Sequence, residues 1–343
     1  MTPYAPGPGF RPRAAVAMSP DAASAVLDPQ SLGAFRRVCE LAPFPVLDDL
    51  STPRARSVLA DVDLLVTGWG CPPLDADVLR AAPALRAVVH TAGSVRGHVT
   101  DACWDRGVEV SSAAAANALP VAEYTLGMIL LSGKRVLERA RDYRATRTRG
   151  NWLRTSRGVG NYRRTVGILS ASLIGRRVVE LLRPHDIGVL LHDPYVSDAE
   201  AAELGVERVE LPELFARCDT VSVHTPLLPT TRGLVGRGLI ESMPADAVLI
   251  NTSRGAVVDQ EALTDAVVAG RIRAVLDVTD PEALPPDHPL WDCEHALITP
   301  HLAGSEGNEW RRLADLALAE TTRWASGAGF LHPVRRERLA FLA

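Results

Sequence analysis

Lysine is nearly missing from this 343-residue chain: of its 37 basic residues only Lys134 is not an arginine. The skew weakens any single arginine as a functional signal, because arginine is common at every kind of position. Cysteine is sparse as well. The five cysteines (Cys39, Cys71, Cys103, Cys218, Cys293) lie far apart and form no Cys-x-x-Cys pair. Neither a structural zinc site nor a disulfide framework is indicated, and each thiol reads as inert and wholly or partly buried. No window approaches about 18 uninterrupted apolar residues, which argues against a membrane span. The Pro/Gly-rich opening from Met1 to Arg13 lacks the apolar core of a secretory signal. A net charge of −4 excludes both a broadly basic nucleic-acid surface and an acidic solvating tail. No internal repeat of about 20–50 residues is visible, so solenoids and propellers are set aside.

What is present is the balance of an ordinary globular protein, 47% apolar and 23% charged. At roughly 150 residues per domain the length suits two domains, and a cytoplasmic enzyme is the expectation. Short β-type apolar runs at Arg13–Met18, Asp63–Trp69, Arg86–Thr91 and Val108–Ser111 alternate with helix-like stretches such as Ser31–Leu41 and Asp75–Ala82. A long helical pattern follows from Val121 to Arg141 and gives way to an Arg-rich stretch, Tyr143–Gly160, read as an exposed arm or linker. A second series has strands at Thr165–Leu169, Gly188–His192, Thr220–His224, Val248–Thr252, Arg273–Val278 and Ala296–Thr299, with helices at Ile174–Leu182, Leu211–Arg217 and Gln260–Ala269. A last helix spans Asn308–Trp324. Such alternation predicts an α/β protein of two doubly wound parallel-sheet domains, Rossmann-like or flavodoxin-like.

Thr165–Asp193 has the layout of a dinucleotide-binding βαβ unit: strand, small-residue turn, helix, and a second strand ending in an acid. The helix N-terminus would face a pyrophosphate with unpaired N–H groups, and Asp193 would accept from ribose hydroxyls while repelling a 2′-phosphate. The turn itself departs from Gly-x-Gly-x-x-Gly and reads Ser170-Ala171-Ser172-Leu173-Ile174-Gly175. Ser170 must turn tightly with a Cβ attached, while Ser172 puts a hydroxymethyl where backbone normally approaches phosphate. Two readings stand at this point: a dinucleotide site in which Ser172 donates its own hydrogen bond, or a Rossmann-like unit that holds no cofactor.

Downstream come His224-Thr225-Pro226, the run Val248-Leu-Ile-Asn-Thr-Ser-Arg-Gly-Ala-Val-Val-Asp259, Leu276-Asp-Val-Thr-Asp-Pro-Glu282 and Ile298-Thr-Pro-His-Leu-Ala-Gly-Ser305. With Thr165–Asp193 they occur in order over Thr165–Ser305, and on them the chain resembles the D-isomer-specific 2-hydroxyacid dehydrogenases, the family of D-lactate, glycerate, phosphoglycerate and formate dehydrogenases. The first 120 residues resemble it only in pattern, most clearly at Asn117 to Glu123. The resemblance implies an NAD-dependent enzyme that moves a hydride between nicotinamide and C2 of a D-2-hydroxy acid or 2-keto acid. It places His301 as acid/base, Arg254 as the cation for carbonyl and carboxylate, and Glu282 as the partner of the histidine. An imidazole exchanges protons near neutrality, and a guanidinium grips two oxygens and stays charged when desolvated.

The same resemblance implies cofactor contacts at Ser172, Leu173, Ile174, Asp193, His224, Thr225, Pro226, Thr252 and Asp277, the last toward the nicotinamide carboxamide. Asp193 in His192-Asp-Pro-Tyr195, with no arginine immediately after it, favours NAD over NADP. Substrate binding is placed on the loop Gly93-Ser94-Val95 and on Trp69, which serves equally as pocket wall or core. Arg96 is either a second anionic anchor or a solvated loop residue. No metal is implied. The family's layout gives a discontinuous substrate domain, 1–118 with 306–343, around a cofactor domain, 119–305, the active site in the cleft between them, and a homodimer to which the segment Val121–Trp152 contributes. Expected partners are a small 2-hydroxy or 2-keto acid, with no nucleic acid and no membrane. The alternative is an NAD(H)-sensing regulatory or co-repressor-like protein on the same fold with little turnover.

Overall fold

The computed structural model describes residues 10–42, 46–156 and 158–341; most of the Pro/Gly-rich opening segment lies outside them. Five strands occupy the first part of the chain: β1 (Arg13–Ala17), β2 (Glu40–Leu41), β3 (Leu64–Thr67), β4 (Ala87–His90) and β5 (Glu109–Ser112). Between them run α1 (Pro20–Val26), α2 (Pro29–Val38), α3 (Pro53–Leu59), α4 (Ala76–Ala81) and α5 (Asp101–Asp105). The first three helices share a start signal. Ser19, Asp28 and Thr52 each precede a proline, and each side chain accepts the amide of the residue three positions on.

The middle of the chain carries α6 (Ala114–Gly133), α7 (Val136–Thr146), α8 (Trp152–Thr155), β6 (Arg164–Leu169), α9 (Leu173–Leu182), β7 (Ile187–His192), α10 (Asp198–Leu204) and β8 (Glu207–Arg208). It continues through α11 (Leu211–Arg217), β9 (Thr220–Val223), α12 (Arg237–Ser242), β10 (Val248–Asn251), α13 (Gln260–Val268), β11 (Arg273–Leu276) and β12 (Ala296–Ile298). The chain then returns through α14 (Trp310–Ala325) and β13 (Pro333–Val334). Two compact units result, Met1–Asn117 with Ser305–Leu342, and Ala118–Gly304.

The first unit holds a sheet of order β13-β5-β4-β3-β1-β2, parallel except for β13 against β5. Its inner strands are buried on both faces, as helix-covered parallel strands must be. Leu64, Val66 and Val89 pack with Phe35, Leu313 and Trp324, while Leu65 and Val88 meet Leu59, Leu79 and Cys103 on the other side. The second unit holds a fully parallel sheet of order β12-β11-β10-β9-β6-β7-β8, the doubly wound architecture. Strand order reverses between β6 and β9, so the C-terminal ends of these two strands form the position where open α/β sheets bind ligands.

The long helix expected over Val121–Arg141 is two helices. Arg135 sits at φ 51° between α6 and α7, and its guanidinium pairs with Asp246 at 2.8 Å. Arg273 of β11 pairs with the same Asp246 at 2.6 Å and with Glu138 of α7. A one-residue reversal leaves the apolar period almost intact, so periodicity alone reads through it. α6 has the length and apolar character of a membrane span. One face of it packs into the second unit, with Ala122 and Ile129 among Val178, Leu182 and Ile250. The two-residue strands β2, β8 and β13 are too short to show a period. All five cysteines are free thiols, and burial pushes Cys71 and Cys218 up to about 12.

Under the C-terminal ends of β3 and β4, the Thr67 hydroxyl lies 3.0 Å from His90 Nδ1 and 3.1 Å from His98 Nε2. Burial holds His90 down to about 3, with His98 adding to it, and His98 down to about 4. Both rings are therefore neutral. In the unfolded chain the same rings take up protons near pH 6.5. Stability from this pair is accordingly complete above pH 6.5 and is lost as pH falls toward 4, by a few kcal/mol per histidine. Urea unfolding of the protein between pH 7 and pH 4 is expected to show that decline, and His90→Asn should flatten it.

Candidate active site

The turn after β6 is the first element of the site. Ser170 adopts φ 79°, the left-handed region that the missing glycine would have occupied without strain. Its hydroxyl lies 2.7 Å from Thr225 Oγ1, just past β9. Ser172 is the N-cap of α9, where its Oγ accepts the Gly175 amide at 3.3 Å. Gly175 has no alternative: a Cβ there would lie 2.1 Å from the Ser170 carbonyl oxygen. Asp193, past the end of β7, accepts the Ala171 amide on one oxygen and the Tyr195 amide on the other, each at 2.8 Å. Leu173 is exposed and Ile174 half-buried in the first turn of α9. Ser170, Ser172, Asp193 and Thr225 are thus gathered around one turn.

His224 follows β9 and is fully enclosed, its Nε2 2.9 Å from Ser222 Oγ. Burial holds it down to about 3, so the ring is neutral. Its Nδ1 is buried with no hydrogen-bond partner among the described residues. Pro226 lends its carbonyl to the Thr231 hydroxyl at 2.6 Å, closing the next turn.

The second element is built on the ends of β10, β11 and β12. His301 stands at φ 55°, and its amide donates to the carbonyls of Asp277 and Thr299, both at 3.0 Å. Its Nδ1 lies 2.5 Å from Glu282 Oε1. Both side chains are exposed at this point, His301 by 51% and Glu282 by 61%, which leaves the imidazole open to a ligand. Arg254, half-buried after β10, donates to the Ser253 carbonyl at 2.7 Å, and Asn251 Nδ2 donates to the Arg254 carbonyl at 2.9 Å. Gly255 presses against the backbone of Thr279 and Asp280, where a Cβ would meet carbonyl atoms at 2.0 Å. The Arg254 loop and the loop leading to Glu282 are therefore in backbone contact.

Asp277, which the resemblance placed toward the nicotinamide carboxamide, closes the end of β11. It is 2% exposed. One carboxylate oxygen accepts the Thr299 hydroxyl at 2.6 Å and the Leu302 amide at 2.9 Å, and the other accepts the Ala303 amide at 2.9 Å. The carboxylate shapes the His301 loop from below. Sequence reasoning also passed over Tyr124, whose hydroxyl lies 2.9 Å from Thr299 Oγ1, and Thr125, 3.2 Å from Thr252 Oγ1. Their one signal was membership of the helical run read over Val121–Arg141, just after the Asn117–Glu123 stretch.

In the first unit, Gly93 and Ser94 are half-buried and Val95 buried in the loop after β4. A Cβ on Gly93 would lie 3.8 Å from Asn117 Nδ2. Asn117 Oδ1 accepts the Ser305 amide at 2.9 Å, and Ser305 Oγ is buried with no hydrogen-bond partner among the described residues. Trp69 is 42% exposed, which removes the core reading. Arg96 donates to the Leu339 carbonyl of the C-terminal segment. Among the described residues no group of three or more His, Cys, Asp or Glu is arranged to hold a metal ion.

The strain at Ser170 costs about 1 kcal/mol or more, and its bond to Thr225 returns about 1 kcal/mol. Ser170→Gly is therefore expected to be near neutral in urea unfolding. Ser170→Ala, which keeps the strain and loses the bond, should cost about 1 kcal/mol. Gly175→Ala should be the most damaging of the three, since the clash is with backbone.

Residues 126–303 match the family model described as D-isomer specific 2-hydroxyacid dehydrogenase, NAD binding domain. The chain is 35% identical over 260 residues to the D-3-phosphoglycerate dehydrogenase of Mycobacterium tuberculosis, covering 75% of this chain and 48% of that one. It is 33% identical over 246 residues to the glyoxylate reductase of Korarchaeum cryptofilum, covering 71% of this chain and 74% of that one. Among solved structures, the TT0316 protein of Thermus thermophilus superposes with a TM-score of 0.73 at 28% identity, over 94% of this chain and 100% of that one. The chain spans about half the length of the phosphoglycerate dehydrogenases it matches. On these matches, and with the motif residues seated at the ends of the parallel strands, the chain belongs to the D-isomer specific 2-hydroxyacid dehydrogenase family.

Proposed function

We propose that the protein is a nicotinamide-dependent oxidoreductase that interconverts a D-2-hydroxy acid and its 2-keto acid. The observation that carries this reading is the 2.5 Å contact between His301 Nδ1 and Glu282 Oε1 on a loop shaped by a buried carboxylate. With Nδ1–H donated to Glu282, Nε2 is the atom left to exchange a proton with substrate. Reduction at C2 adds a hydride, which the dinucleotide supplies when bound, and a proton at oxygen, which His301 Nε2 donates. In the other direction Nε2 accepts the hydroxyl proton. Arg254 meets the substrate carboxylate with a charge that persists on desolvation. The preserved pairing of His301 with Glu282 argues against a purely regulatory protein.

Two observations fit the second unit to a dinucleotide. Gly175 keeps the turn closed against the N-terminus of α9, where N–H groups favour a pyrophosphate. His224 Nδ1 stands buried and unpartnered beside the end of β9. Ser172, Leu173 and Ile174 would line the pyrophosphate, Thr225 and Pro226 the ribose side, and Thr252 the nicotinamide side. Each Asp193 oxygen accepts one amide, which leaves lone pairs for ribose hydroxyls and supports NAD over NADP. The first unit, through Gly93, Ser94, Val95 and Trp69, takes the substrate role. A homodimer through the α6–α7 region, a cytoplasmic location, and the absence of nucleic-acid and membrane partners complete the proposal.

NADH titration of the purified chain, followed by fluorescence, is expected to saturate at lower concentration than NADPH. Turnover should then appear in a panel of 2-keto acids that includes glyoxylate, or in reverse with D-3-phosphoglycerate. His301→Ala should retain NADH binding and lose at least about 100-fold in kcat. A chain that binds neither dinucleotide, or a His301→Ala variant with native turnover, would end this reading.

A further inference from the structure

Two neighbouring residues of one helix reach both loops of the candidate triad. Tyr124 and Thr125 lie in the middle of α6, a helix packed into the core of the second unit through Ala122 and Ile129. Tyr124 meets Thr299, two residues before His301, at 2.9 Å. Thr125 meets Thr252, two residues before Arg254, at 3.2 Å. A pair of adjacent helical side chains, splayed by the helical turn, thereby spans the ends of β10 and β12.

Donor counting fixes the direction of both contacts. Thr299 has one hydroxyl hydrogen, and it goes to the Asp277 carboxylate at 2.6 Å. The hydrogen between Tyr124 and Thr299 must therefore come from tyrosine. Thr125 gives its hydrogen to the Val121 carbonyl at 2.8 Å, so Thr252 donates to Thr125. The result is an ordered chain, Tyr124 to Thr299 to Asp277. Asp277 in turn accepts the amides of Leu302 and Ala303 on either side of its carboxylate. Burial, and then the Asp277 charge, raise Tyr124 above the ordinary phenol range despite its bond to Thr299, so it remains a donor at any working pH.

We propose that Tyr124, assisted by Thr125, is a positioning residue for the proposed reaction: it holds the His301 loop in register with the Arg254 loop through the hydrogen-bond chain that ends on Asp277. The need for such a strut is visible in the backbone. His301 stands at φ 55°, an αL conformation that costs an L-residue energy and survives only when its surroundings enforce it. The loop amides supply part of that enforcement through Asp277. Thr299 supplies the rest, and Tyr124 is what orients the Thr299 hydroxyl toward the carboxylate. Hydrogen bonds in series polarise one another, so loss of the first donor weakens those after it. Reactions that depend on near-attack geometry are steep in such displacements.

This inference rests on the proposed dehydrogenase reading, and the experiment separates the two. Tyr124→Phe removes a single oxygen and leaves the packing of the ring in place. With NADH and the best 2-keto acid of the panel, kcat is expected to fall roughly tenfold, while KM, NADH affinity and Tm stay at native values. Hydrogen exchange at the Leu302 and Ala303 amides should accelerate in the same variant, a readout that needs no turnover. In a Thr299→Val background Tyr124→Phe should do nothing further, whereas Thr299→Ser should behave as native. Native kcat with native exchange in Tyr124→Phe would overturn the strut, as would an effect that simply adds to that of Thr299→Val. If Tyr124→Phe lowers Tm, exchange at the same two amides in Thr299→Val decides instead: native protection there overturns the proposal. Absence of turnover in the native chain would refute the dehydrogenase reading, and the exchange measurement would still judge the strut.

Discussion

A single buried carboxylate, Asp277 at the end of β11, carries the local order of the candidate site. It is held by three donors, the Thr299 hydroxyl and the amides of Leu302 and Ala303. A desolvated charge is costly unless its oxygens are hydrogen-bonded, so the loop cannot leave without exposing the penalty. The same need that satisfies the carboxylate also bends the chain at His301 into the left-handed region. From that bend the imidazole reaches Glu282, and from β10 the neighbouring Asn251 fixes the Arg254 carbonyl. Fold, strain and chemistry meet at one side chain.

The dinucleotide turn shows how a motif can change and keep its geometry. Of the three glycines, the third is the one the packing demands, because helix and strand approach within the space of a Cβ. The first is replaced by Ser170, which keeps the positive φ and recovers much of the strain through Thr225. The second is replaced by Ser172, which becomes the N-cap of α9. A serine cap satisfies one amide of the helix start, here that of Gly175. Asp193, tied to the turn by the Ala171 amide, holds the arrangement to β7.

Much of the architecture could be read in advance. The buried parallel strands are short continuous apolar runs, and their alternation with helices is specific to doubly wound sheets. The main strands of both sheets fall within a residue or two of the expected spans at each end. Reading failed where a feature had no period to show. The reversal at Arg135 is one residue long, and β2, β8 and β13 are two residues each. The exposed Trp69 could equally have been core, since its neighbours in sequence suit either place. Tyr124 was invisible because an aromatic on the apolar face of a helix ordinarily means packing.

By itself the sequence determined the fold class and the order of the elements, and it put forward His301, Glu282 and Arg254 as the candidate triad, because each is local or carried by a motif of adjacent residues. Tertiary structure alone decided that Asp277 is sealed beneath the loop, that Ser170 is bonded to Thr225, and that α6 reaches Thr252 and Thr299. Those facts join residues up to 175 positions apart. Hydrogen bonds over such separations leave no spacing in the chain, and only the packing of strand ends beneath a common helix brings their donors and acceptors within reach.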